Sequence, residues 1–169
     1  MAEVGFMMAN LAGKDLRDCE EKDLETALGW FYDLVGERTV KVDAVMLANI
    51  YRNLHIFVES LQRKYRLEPT ELPEMFKTPI VNILADTLTL HFQDGTSPSL
   101  LAKVIHFLRH SFHLIVVFCP KEITTEIVKK IMYILGSISY NVVCSALALL
   151  EVMVDSPLAA SVPQYRKIV

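Results

Sequence analysis

Between residues 98 and 155 apolar side chains recur every three or four positions, in runs interrupted only by short proline, glycine and small polar residues. That spacing gathers the apolar groups on one side of an α-helix, and a helix with an oily side must lay it against another element. Ser97-Pro98 reads as a helix start, because serine can cap free amides and proline in the first helical position forfeits no hydrogen bond. Val104, Ile105, Leu108, Phe112 and Ile115 mark the buried face, with Lys103, His106, Arg109, His110 and His113 on the opposite side. Pro120 stops this helix and opens a second. There Ile123, Ile127, Ile131, Ile134, Leu135 and Ile138 repeat the pattern, and Glu126, Lys129 and Lys130 face away. After a turn at 136–141, with Asn141 as the expected cap, residues 142–154 are apolar on nearly every side. A helix covered from several directions is the expectation there.

The same logic runs back toward the N-terminus. Asp18 followed by Glu21 resembles a capping box, and Leu24, Ala27, Leu28, Phe31, Leu34 and Val35 form a helix face closed by Gly36. Asp43 opens the next helix, whose buried stripe is Leu47, Ile50, Leu54, Phe57, Val58 and Leu61. Gln62, Arg63, Lys64 and Arg66 end it with the sign the helix dipole favours. Residues 67–72, followed by Pro73, read as a linker. Residues 74–77 predict a single turn, and Thr78-Pro79 a fresh helix with Ile80, Val81, Ile83, Leu84 and Leu88 inside. The expectation is one all-α domain over 1–169, with a subdivision into 1–66 and 73–169 as the alternative. Ser161-Val162-Pro163 looks like the opening of a further helix, so the chain reads as a piece or short isoform of a longer protein.

Composition narrows the function classes. Apolar residues make up 52% of the chain, which excludes disorder as its main state. A formal charge of −3 gives no reason to expect nucleic acid. Cys19, Cys119 and Cys144 lack paired spacing and read as reduced thiols of an intracellular protein, cytoplasmic or nuclear, with Cys144 in the core. Residues 131–150 carry no charge and are long enough to cross a bilayer, which keeps a membrane-embedded protein as one alternative. Ser137, Ser139, Tyr140 and Asn141 at the centre of that stretch favour a buried helical hairpin instead.

Set against itself, the chain shows an echo at an offset of 47 residues, where Ile80, Val81, Leu84 and Leu88 meet Ile127, Val128, Ile131 and Leu135. In this respect residues 79–155 resemble two helix pairs of the HEAT or armadillo type, with 24–61 as a degenerate earlier pair. The resemblance implies a right-handed stack of antiparallel helix pairs, an α-solenoid of about seven helices whose inner helices line a surface for peptides or proteins. It carries over no individual residue.

Candidate chemistry is sparse. His106, His110 and His113 share one helical face, a spacing that can bring imidazoles to one zinc ion, with His91 as a further candidate. Lys103 and Arg109 on the same side oppose a cation, so the expectation is no metal and no cofactor. No nucleophile elbow, phosphate-cradling glycine loop or pair of carboxylates is present, and an enzyme is not expected. The leading expectation is a protein-interaction scaffold that holds another protein or peptide, with Lys103, His106, Arg109, His110 and His113 making the polar contacts. A compact bundle serving as a dimerisation or docking module is the alternative.

Overall fold

The computed structural model of the chain describes residues 19–65, 73–93, 95–112, 114–115, 121–136 and 139–154. Among these residues the chain is all-helical: α1 (Glu21–Val35), α2 (Ala44–Tyr65), α3 (Glu74–Asp86), a π turn (Thr87–His91), α4 (Pro98–His110), α5 (Lys121–Ile134) and α6 (Tyr140–Val154). The expected linker at 67–72, Asp18, His113, Cys119, Pro120, Ile138 and the 161–163 helix start lie outside the described residues.

On α1, α2 and α4 the buried stripes are the ones the periodicity predicts, whereas Val81, Ile123 and Leu135 are only half-buried. Leu24, Ala27, Leu28, Phe31, Leu34 and Val35 are all buried on α1, as are Leu47, Ile50, Leu54, Phe57, Val58 and Leu61 on α2. Asp43 caps α2, its Oδ1 accepting from the Met46 amide at 2.8 Å. Around α4, Val104, Ile105, Leu108, Phe112 and Ile115 are buried, and Leu100, Leu101 and Phe107 join them. The extra burial follows from position: α4 is the central helix, flanked by α2 and α6 and touching the π turn. Of the others, α1 packs against α2 and α3, and α5 packs against α6.

Several expectations are corrected. Six α-helices are described where about seven were expected, in part because residues 74–86 form one helix with Pro79 inside it. A proline there removes one amide donor, and the side chain of Phe76, buried at 0% exposure, fastens the turn before it. The N-cap of α1 is Glu20, which makes no side-chain cap bond. Gly36 follows α1 with φ −85°, and the left-handed residue is its neighbour Glu37 at φ 49°. A larger residue at 36 would push aside the flexible Arg38 side chain, whose guanidinium lies where a Cβ would stand. From there it donates to the Tyr32 carbonyl at 2.8 Å, pairs with Asp86 at 2.7 Å and covers the Tyr32 ring.

Helix α6 is not covered all round. Val142, Ala146, Leu149, Leu150 and Met153 are buried, whereas Tyr140 is 80% exposed and Leu147 50%. Cys144 lies on the same outward stripe and is exposed, so it is not a core thiol. Helix α6 starts at Tyr140, so Asn141 is inside it and not its cap. Residues 131–150 are divided between α5 and α6, and no described helix is long and apolar enough to cross a membrane.

The π turn is where the packing converges. Thr87 and Thr89 return their hydroxyl protons to the carbonyls of Ile83 and Ala85, each at 2.8 Å. The buried Tyr51 hydroxyl of α2 donates to Thr87 Oγ1 at 3.0 Å. His91 Nε2 lies 2.8 Å from the Val35 carbonyl at the end of α1, and the Tyr51 ring meets the His91 ring edge-on. Carbonyls that a wide turn leaves free are taken by side chains from beyond it. Lys130 of α5 donates to Leu88 at 2.8 Å, Gln93 to Leu88 and Thr89, and Thr96 to His91.

Candidate functional site

The helical spacing of His106 and His110 places both imidazoles toward α2, and the α2–α4 contact brings His55 against them. Ring centroids are 4.8 Å apart for His55 and His106, 4.1 Å for His55 and His110, and 4.5 Å for His106 and His110. One nitrogen from each ring lies within 4.8 Å of the other two. Glu59, one turn beyond His55, borders the group on the side of His55 and His110. Its Oε1 is 3.5 Å from His110 Nδ1, and its Oε2 is 3.8 Å from His55 Nε2 and 3.6 Å from Arg63. His55 Nδ1 is buried with no hydrogen-bond partner.

The electrostatics hold these imidazoles neutral. Desolvation is the largest cause at all three histidines. His106 is pushed down to about 4 by desolvation, by the neighbouring His110 and His55, and by Arg109 and Lys103. His55 is lowered by desolvation and by His110, against an opposing pull from Glu59. His110 is lowered by desolvation, with Glu59 opposing and Arg109 adding to the shift.

A groove of about 630 Å³ opens between α4 and the start of α6. Lys103 and His106 line it from α4, and Asn141, Cys144 and Ser145 from α6, with no acidic side chain among its walls. A second groove of about 380 Å³ separates the π turn from α5 and carries mixed charge from Glu122, Glu126 and Lys130.

Of the expected contact residues, Lys103 and His106 are exposed in the larger groove, while Arg109 and His110 are half-buried. His113 lies outside the described residues. His91 is buried and engaged by the Val35 carbonyl, so it serves the packing of the π turn. Sequence reasoning missed His55 and Glu59. Their one-turn spacing on α2 was the available signal, but it acquires meaning only once α2 and α4 are known to be neighbours. Comparison of the chain with protein-family models, with curated proteins and with solved structures returned no match.

Proposed function

We propose that the chain is a non-catalytic interaction scaffold of stacked helix pairs, and that its α4–α6 groove holds an acidic peptide segment of another protein. The stack pairs α1 with α2, α3 with α4 and α5 with α6, in the right-handed sense of HEAT and armadillo units. Helices α2, α4 and α6 then form one layer and α1, α3 and α5 the other; α4 packing between α2 and α6 and α1 packing on α3 support this, and α3 reaches α4 through the π turn at its end. Helices α3 and α5 start 47 residues apart, at Glu74 and Lys121, which is the offset of the sequence echo. Helices α4 and α6 start 42 residues apart, at Pro98 and Tyr140. The shortfall of five equals the length of the π turn, which is present only in the earlier pair among the described residues.

The observation that carries the choice of partner is the charge of the groove: Lys103 at its wall with no carboxylate among the lining side chains. An extended or helical segment with Asp or Glu would find its counter-charge there, and Asn141 and Ser145 would meet its backbone. The test is selection of peptides from a random display library on the full chain. Wild-type protein should enrich sequences with two or more acidic residues, and the Lys103→Glu variant should lose them or enrich basic ones. The same acidic peptides bound by both proteins, at equal affinity and without salt dependence, would refute the assignment.

A further inference from the structure

We propose that His55, Glu59, His106 and His110 form a binding site for a divalent cation of the zinc class, joining α2 to α4. The site needs neither the groove nor its peptide, and so stands independently of the function proposed above. Its basis is geometric. Two side chains one helical turn apart on α2 face two side chains one turn apart on α4, an arrangement in which each helix presents a chelating pair.

Zinc takes imidazole nitrogen and carboxylate oxygen at about 2.0–2.2 Å in a tetrahedron, so its donors stand about 3.3 Å from one another. Glu59 comes nearest that spacing, with one oxygen 3.5 Å from His110 Nδ1. The three imidazole donors lie within 4.8 Å and need to close by up to about 1.5 Å, which side-chain rotations supply. An unliganded site with flexible side chains on two rigid helices is expected to stand slightly open.

One further observation points to a ligand. The unpartnered, buried His55 Nδ1 is a polar atom whose removal from water is uncompensated by the polypeptide. Lys103 and Arg109 on α4 and Arg63 on α2 oppose a cation, and the Glu59 carboxylate offsets part of that field. Neutral nitrogen donors with one carboxylate favour zinc, copper or nickel over magnesium or calcium, which require more oxygen. Four protein donors leave no open coordination position, so the role assigned is structural: a cross-link between two neighbouring helices.

The full chain, stripped with a chelator and confirmed folded by circular dichroism, is titrated with Co²⁺ and then with Zn²⁺. One equivalent of Co²⁺ should give the intense visible bands of four-coordinate cobalt, and Zn²⁺ should abolish them. Zinc affinity, read by competition with a chromophoric chelator, should be in the micromolar range or tighter and should fall at least 100-fold in the His106→Gln/His110→Gln variant. Both positions are partly exposed, so this variant retains the core. Zinc should raise the melting temperature of the wild type and leave that of the variant unchanged. Lys103→Gln, outside the ligand set, should bind at least as tightly as the wild type. Binding weaker than about 100 µM, six-coordinate cobalt bands, or equal affinity in wild type and double variant would mean an adventitious ion only and would overturn the site.

Discussion

Removing the Tyr51 hydroxyl tests whether the π turn is tied to α2. Tyr51 is fully buried, and its hydroxyl donates to Thr87 Oγ1, which in turn donates to the Ile83 carbonyl. Burial pushes the phenol far above the usual tyrosine range, since an anion there would have no solvent and Asp86 lies near. Tyr51→Phe keeps the ring contacts with Phe107 and His91 and removes one buried hydrogen bond. The net loss is about 1–1.5 kcal/mol, because the remaining Thr87 oxygen still donates and loses only its incoming proton. Thr87→Val is costlier, about 2 kcal/mol, since it strands the Tyr51 O–H in a dry site and gives up the bond to Ile83. The double variant removes both polar atoms together, so its loss should fall short of the sum by at least about 0.5 kcal/mol. Urea unfolding followed by circular dichroism measures all three, as a shifted midpoint at constant slope. Thermal midpoints should drop by about 2–4 °C per kcal/mol for a chain of this length. Additivity within about 0.3 kcal/mol, or a silent Tyr51→Phe, would show that the two hydroxyls are not coupled.

Pro79→Ala should stabilise the chain by about 1 kcal/mol, because alanine restores an amide donor inside α3 and this outweighs the proline's stiffening of the unfolded chain. A lower urea midpoint for Pro79→Ala would contradict that balance. Under chelation, stability should fall as pH drops from 7 to 5. The unfolded chain takes up protons at its histidines near pH 6.5, whereas the folded cluster resists until lower pH, with His106 protonating at about 4. Because His106 is exposed and water screens its charge, the loss over that interval is smaller than the full shift of its imidazole would give. The His106→Gln/His110→Gln variant should show a flatter dependence between pH 7 and 5, and an unchanged slope would assign the effect elsewhere.

The buried faces of α1, α2, α4 and α5 were legible in the sequence because a three-four periodicity needs no knowledge of the neighbour. Features set by the neighbour were not. Tyr51 reads as a surface residue beside the Ile50 stripe until α4 and the π turn close over it. Leu147 and Cys144 read as core because α6 is apolar all round, yet only one side of it meets α4 and α5. Pro79 reads as a helix start because proline is tolerated there by local rules, while Phe76 anchors the preceding turn to the core and carries the helix through. At the candidate site, His106 and His110 were visible as a pair on one helix, but His55 and Glu59 enter from a segment some fifty residues earlier. No local pattern encodes that juxtaposition.

Arrays whose helix pairs touch only their immediate neighbours tend to melt piecemeal, from the ends inward. The π turn works against that tendency. Side chains from α2 and α5 and a carbonyl from α1 all converge on five residues, and neither α1 nor α2 can detach without leaving a buried polar atom stranded, while α5 is held at the rim by Lys130. Amide protons on α1 and α2 should therefore exchange with a common, global opening, as though a single knot tied two cords.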